Sequence, residues 1–438
     1  MFEQENSIQL RKIPILALGF ASVTLSWSLF NLAVPVILED DYNISLFLVG
    51  FIMTWDNIIA FFIQPAIGSY SDRTVTRIGR RMPFIIPGIT FGSISFFLLS
   101  YSKERVLIYF LANIVIFNLF MALYRSPSVS LLPDLVKSKD RTIGNGIVNL
   151  MGGVTAGLSF AIGGKFLADD ETRSAFAFVS IGMIICLLFL VFFIKEPKYD
   201  KIALQQDKQY SVFKQLKAEF NRIIKSEDRS LYFMLLAILT WFMAWNAIEA
   251  FYSIYVSKTF LPDIDSEEAA GEAGGVLFIF PVVFVVFTIV GGLLGGKLGR
   301  IKTMKIGLLF MLVGLIMAYF VEIDTFFGAD MGWKTSFRII FVIAAIGWGL
   351  VNVNSIVVVW ELSPDNGIAT GVYYAFASLA AVLGPTIAGF LMGIEIKALF
   401  PFSIIFIVIS FFMLFRVTTG EAGQKSEMLG QAIGELVD

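Results

Sequence analysis

Residues 62–85 read Phe62-Ile-Gln-Pro-Ala-Ile-Gly-Ser-Tyr-Ser-Asp72-Arg73-Thr-Val-Thr-Arg77-Ile-Gly-Arg80-Arg81-Met-Pro-Phe-Ile85. An apolar run ends at Asp72-Arg73, further arginines follow at positions 77, 80 and 81, and a second apolar run begins at Met82. This is a membrane hairpin with a basic turn. The pattern returns later in the chain. Gly292-Leu-Leu-Gly-Gly296-Lys297 closes one apolar run and Gly299-Arg300-Ile301-Lys302 opens the next. Pro133-Asp134 and Pro364-Asp365 each precede a glycine-rich run. The chain therefore reads as two repeats, the architecture of carriers whose halves face a central cavity.

Composition agrees. Of the 438 residues 57% are hydrophobic and 16% charged, and the mean hydropathy is +0.79. Soluble domains carry about 25% charged residues, so the solvent that accepts this surface is a bilayer. Net charge is −2, which gives no basic field for nucleic acid. The single cysteine, Cys186, excludes an internal disulfide and a cysteine-based metal site. With no histidine, a His-ligated metal and a Ser-His-Asp triad are also excluded, and proton chemistry falls to carboxylates. We expect no cofactor beyond a coupling ion, H⁺ or Na⁺.

Apolar runs long enough to cross hydrocarbon fall at roughly 13–38, 47–71, 82–101, 105–132, 143–167, 174–194, 230–257, 274–297, 302–322, 336–361, 366–394 and 397–416. The first follows Arg11-Lys12 and is far longer than a signal h-region, so it reads as a membrane helix. With both termini in the cytoplasm, the inner segments hold 24 of the 33 Lys+Arg and the outer loops seven. The outer loops are acidic, with Glu39-Asp40-Asp41 and the 263–272 stretch containing Glu267, Glu268 and Glu272. The positive-inside tendency thus predicts a cell (inner or plasma) membrane protein with cytoplasmic termini. The expected organisation is a six-helix bundle over 1–194, a cytoplasmic linker over 195–229, a second bundle over 230–416 and a tail over 417–438. Val212, Phe213, Leu216, Phe220, Ile223 and Ile224 recur at helical spacing in the linker, with Lys214, Lys217 and Arg222 between them. That reads as an amphipathic helix on the inner surface. We expect a monomer with the lipid bilayer and a small molecule as its partners.

Charged and amide side chains inside the runs are the candidate site. Arg125 sits in the fourth run, where an arginine costs roughly 2.5–3.5 kcal/mol on insertion scales unless it faces a cavity or partner. Its forked donors suit hydroxyls or a carboxylate. Asp56, next to Asn57, lies about ten residues into the second run. A carboxylate that alternates between arginine-paired and unpaired states takes up and releases a proton, so Asp56 is the favoured coupling residue. Glu249 is the second, three residues from Asn246 on one helical face. Trp27 with Asn31, Trp348 with Asn352, and Tyr374 with Ser378 share faces and offer the flat rings and amides that bind sugars. Gln64 and Asn149 complete the polar candidates. Asn352 and Asn354 point about 200° apart, so only one of them lines a cavity fully. Asp72 and Arg73 read as a gate at the inner end of the second helix. Arg80 and Arg81 join them, although orientation and headgroup contact alone would account for these two. Glycine pairs Gly153/Gly157, Gly367/Gly371 and Gly389/Gly393 mark close helix contacts.

The 62–85 stretch resembles the loop between helices two and three of the major facilitator superfamily. Its Arg-x-Gly-Arg-Arg-x-Pro-Phe-Ile portion is closest to sucrose–proton symporters and their bacterial relatives in the glycoside–pentoside–hexuronide group. Further matches are Tyr124-Arg125-Ser-Pro-Ser, Leu132-Pro-Asp134-Leu, Asn145-Gly-Ile-Val-Asn149-Leu-Met-Gly-Gly153 and Val351-Asn352-Val-Asn354-Ser. The resemblance implies two six-helix bundles, cation symport of a glucoside or oligosaccharide such as sucrose or maltose, and a substrate-binding arginine at position 125. This sequence departs from the pattern in two places. Plant sucrose carriers hold a carboxylate where Asn113-Ile114 stand here, and melibiose-type carriers hold aspartates at the positions of Ala60 and Gln64. An efflux carrier for amphipathic molecules is the alternative on the same fold. No catalytic cluster supports an enzyme, and no repeated filter segment supports a channel.

Overall fold

The computed structural model describes residues 10–136, 141–197, 222–223, 226, 228–321, 332–363 and 366–419. All of the predicted linker helix but Arg222 and Ile223, most of the tail and Asp365 lie outside the described residues. Among the described residues the chain is helical with no strand, and twelve stretches are long and apolar enough to cross a membrane. In chain order they are α1 (Ile13–Glu39), α2 (Leu46–Ile52) and α3 (Trp55–Arg73) sharing the second span, α4 (Met82–Ser102), α5 (Leu107–Leu135), α6 (Arg141–Leu158) and α7 (Gly164–Ala168) sharing the fifth, and α8 (Thr172–Phe193). The second half contributes α9 (Ser230–Phe260), α10 (Ser266–Leu277) and α11 (Ile279–Leu298) sharing the eighth span, α12 (Arg300–Phe320), α13 (Gly332–Leu362), α14 (Asn366–Met392) and α15 (Leu399–Phe415). Proline stands in the first turn of α1 and α4, where a missing N–H costs nothing.

Packing divides the chain differently from its sequence repeats. One compact unit comprises Met1–Lys208 with Glu249–Val282, and the other Gln209–Ile248 with Val283–Asp438. One division falls between Lys208 and Gln209, inside the expected linker, and two more cut through α9 and α11. The physical reason is the surface of α10. Gly271 approaches so near that an added Cβ would lie 2.2 Å from the Ala168 nitrogen and 2.4 Å from the Gly164 oxygen. Backbone meets backbone there, and the second-half segment is held by the first (Gly271 and Gly274 against Gly164).

The first unit is cored by a chain of rings. Phe30 and Phe117 stack at 5.5 Å, Phe96 lies 5.2 Å from Phe117, and Phe176 lies 5.0 Å from Phe96. These join α1, α5, α4 and α8. Asn113, at the position where the resemblance implies a carboxylate, is 7% exposed and donates to the Ser95 carbonyl at 3.0 Å. It is a helix-packing residue. In the second unit α12 and α13 cross at glycines, with a Cβ at Gly347 falling 2.4 Å from the Gly307 oxygen. Asn354 donates to the Gly291 carbonyl at 3.0 Å and is buried, so Asn354 packs and the half-exposed Asn352 is the one left for a cavity.

Three spans are irregular. The second breaks at Met53-Thr54, the eighth at Phe278, and the fifth widens to a π-helical turn at Ser159–Gly163. Interrupted helices at corresponding places in two repeats are where carriers place their binding sites.

Candidate substrate and ion site

The break in the second span positions Asp56. Met53 and Thr54 leave the helix, and α3 restarts at Trp55 with Asp56 in its first turn. A carboxylate there faces the positive end of the new helix dipole. Asn57 Nδ2 donates to Asp56 Oδ1 at 2.8 Å. Asp56 is deep among packed atoms yet keeps accessible surface, the combination of a residue on a cavity wall. The charges of Arg125 and Glu249 are felt at its carboxylate.

Arg125 lies ten residues before the end of α5, about 15 Å along the axis at 1.5 Å per residue. Side chains on a helix lean toward its N-terminus, and the Arg125 charge is felt at Asp56. The guanidinium makes no hydrogen bond or ion pair to a described residue, so its forked donors are open.

Glu249 on α9 accepts a hydrogen bond from Asn31 Nδ2 of α1 at 3.0 Å and remains exposed. One turn before Asn31, Trp27 keeps partial exposure and packs edge-on against Phe30 and Phe117 at 5.1 and 5.7 Å. Its Nε1 is buried with no protein acceptor. The first unit thus brings together Trp27, Asn31, Asp56, Asn57, Arg125 and Glu249. Gln64 lies two turns further along α3, half-buried, and Asn149 spends its amide on the Asn145 carbonyl of its own helix at 3.0 Å.

In the second unit Asn246 donates to the Phe242 carbonyl of its own helix at 2.7 Å. Trp348 is 6% exposed and stacks on Trp245 at 4.7 Å with 23° between planes, while Phe242 meets Trp348 edge-on at 5.4 Å. Trp348 is thus the backing of an aromatic stack whose partly exposed member is Trp245. Tyr374 is 61% exposed, and its neighbour Tyr373 is the buried one, bonded to Ser355 at 3.0 Å.

The basic end of the first unit is a charge network. Arg81 is 4% exposed and binds Asp134 through Nε at 2.8 Å, with Ser71 and Asp72 also on its guanidinium. Arg80 binds Asp134 through Nε at 3.2 Å. Arg81 is therefore a buried internal partner, contrary to a headgroup reading. Arg73 and Arg77 are exposed. Glu196, just after α8, accepts from the backbone N–H groups of Arg80 and Met82 at 2.9 and 2.8 Å, capping the start of α4. Gly79 is required at this crossing. Its φ is +113°, and a Cβ would fall 2.4 Å from the Glu196 carboxyl carbon. In the second unit Arg300 pairs with Glu361 from equivalent helix ends.

Sequence reasoning missed Glu196 and Glu267. The first stands after a span and carried no motif. The second was placed in an acidic loop, whereas α10 begins at Ser266 and Glu267 is 2% exposed. The signal was there, since Asp265 caps α10 by accepting the Glu267 N–H at 2.9 Å and a run of Ala and Gly follows.

The Major Facilitator Superfamily profile matches residues 16–367 and 260–431. A general alpha-glucoside permease of Schizosaccharomyces pombe is 26% identical over 196 residues, 38% of this chain and 35% of that protein. A sucrose transport protein of Arabidopsis thaliana is 26% identical over 212 residues, 40% of this chain and 35% of that protein. The matched part thus spans about a third of the length of these relatives. Solved structures share the fold. A proton-dependent oligopeptide transporter aligns with a TM-score of 0.68 at 11% identity, over 93% of this chain and 98% of that one. The nucleoside transporter NupG aligns at 0.67 and 15%, over 94% and 99%. A bacterial homologue of the human lysosomal transporter Spinster aligns at 0.64 and 16%, over 94% of each chain. A profile match across nearly the whole chain, on twelve membrane-length helices, shows that this is a multi-pass membrane protein of the Major Facilitator Superfamily.

Proposed function

We propose that the chain carries a glucoside or oligosaccharide by alternating access, in symport with a proton. The observation that carries this reading is one open guanidinium, Arg125, set among two carboxylates, Asp56 and Glu249, inside the span. One positive charge neutralises one carboxylate. The other is compensated by a proton, and an uncompensated charge in such a site is costly to move through a closed state. Asp56 is the favoured proton carrier and Glu249 the second. Substrate hydroxyls then take the forked donors of Arg125, the Asn31 amide and the orphaned Trp27 Nε1. Trp348, Asn352 and Tyr374 are proposed as further substrate contacts, with Asp72 and Arg73, and the Arg80–Arg81 network, as the gate. The sugar class is supported by the names of the alpha-glucoside and sucrose carriers that the chain partly matches.

The test is purified protein in lightly buffered proteoliposomes with a panel of labelled sucrose, maltose and melibiose. Sugar addition alkalinises the medium if the proton travels with it. Asp56→Asn and Glu249→Gln both retaining gradient-driven accumulation overturns the coupling assignment, and no counterflow of any glucoside overturns the substrate class.

A further inference from the structure

The seam between α1 and α5 runs through three pairs. Ser22 donates to the Tyr124 hydroxyl at 3.4 Å, Ser26 to the Met121 sulfur at 3.7 Å, and Phe30 stacks on Phe117 at 5.5 Å. Numbers rise along one helix as they fall along the other, so the two run antiparallel. Trp27 and Asn31 each stand one residue past a seam position of α1, and Asn118 and Arg125 each stand one past a seam position of α5. One residue turns a helix by about 100°, and in an antiparallel pair both turns go to the same flank. Trp27 and Asn118 also share a level, between the Ser26–Met121 and Phe30–Phe117 pairs. Asn118 is 3% exposed, and its buried Oδ1 accepts from no described residue. The buried Trp27 Nε1 donates to none. Buried polar atoms are costly to leave unmade. A single hydroxyl satisfies both, giving its proton to the oxygen and a lone pair to the N–H. Arg125 lies two turns further along α5, about 10 Å away along the axis.

We propose that Asn118, together with Trp27, reads one hydroxyl of the carried sugar: the hydroxyl donates to Asn118 Oδ1 and accepts from Trp27 Nε1, two turns from the hydroxyls that Arg125 takes. This rests on the transport reading above and adds to it a residue that selects the substrate. A site built to pair a hydroxyl discriminates strongly against an analogue lacking it, because its own buried groups are then left unpaired.

The test is titration calorimetry of the purified full chain with sucrose, maltose and their monodeoxy and monofluoro analogues. At one ring position, loss of the hydroxyl weakens binding about 10–100-fold. Fluorine at that position fails to restore it, since fluorine accepts but does not donate. In Asn118→Leu the parent sugar binds more weakly by the same factor, and the penalty for the deoxy analogue disappears. Trp27→Phe keeps a ring against Phe30 and Phe117 and shrinks the same penalty. Without sugar, the melting temperature of Asn118→Leu is unchanged or raised, because an unpaired buried acceptor has been removed. No position carrying such a penalty in the wild type, or an equal penalty in both variants, overturns the proposal. So does a lowered melting temperature with the analogue pattern unchanged, which would mean that Asn118 holds a structural water. If the wild type binds neither parent sugar, the transport reading falls and this proposal falls with it. Binding of the parent sugars with unaltered selectivity in the variants sinks the proposal alone.

Discussion

Replacing Arg125 by lysine keeps the charge and discards the fork. If the guanidinium binds hydroxyls in two directions, Arg125→Lys lowers sugar uptake in proteoliposomes by about 10–100-fold. Arg125→Gln removes the positive charge felt at Asp56 and abolishes it. Asp56→Asn behaves differently, since a permanently neutral side chain imitates the protonated carboxyl. Counterflow should persist while uphill accumulation is lost, read from the same vesicles with and without a pH gradient. Arg81 is a structural charge. Arg81→Gln leaves Asp134 buried against one arginine instead of two, and costs about 3 kcal/mol of stability, seen as a lower melting temperature in detergent. The two roles were unequally legible. Arg125 announces itself by standing in an apolar run, whereas Arg81 sits among other arginines and only its burial sets it apart.

At the scale of elements, glycine crossings and broken spans do the positioning. Gly347→Ala forces a Cβ against the Gly307 carbonyl, and neither partner is a side chain that can turn away. The variant is expected to lose about 1–3 kcal/mol, measured by thermal unfolding. The α10 contact adds a pH dependence. Asp41 faces Glu267, Lys103, Asp265 and its neighbour Asp40. Desolvation on its protein side, then the charge of Glu267, push its carboxyl up to about 6 from 3.8, although solvent covers the other side. The folded protein thus holds a proton on Asp41 that the unfolded chain releases. The contribution to folding is present in full below about pH 4 and is gone above about 6. The melting temperature in detergent should gain from this group as pH falls through this window, and Asp41→Asn should flatten that part of the profile. The sequence shows the loop as acidic, but which carboxylates meet a lysine depends on how α10 docks.

For the whole molecule, the apolar runs and the basic loops predict that both termini label from the cytoplasmic side, checked by tag accessibility in intact and opened cells. Twelve spans, their order and the repeat were determined by the sequence alone, because a bilayer demands apolar length and every such segment must satisfy its own backbone. The motif residues 62–85 likewise marked the family. Only the tertiary structure decided the rest. It showed that Asp56 opens a restarted helix, that Asn31 of the first span meets Glu249 of the seventh, and that Asn354 packs while Asn352 does not. It also showed that the 249–282 segment groups with the first half. These are contacts between segments up to 226 residues apart. Local periodicity assigns a face to each residue, but the neighbour that face meets is set by how closely backbones approach, and at Gly164, Gly271 and Gly274 the deciding feature is the absence of a side chain.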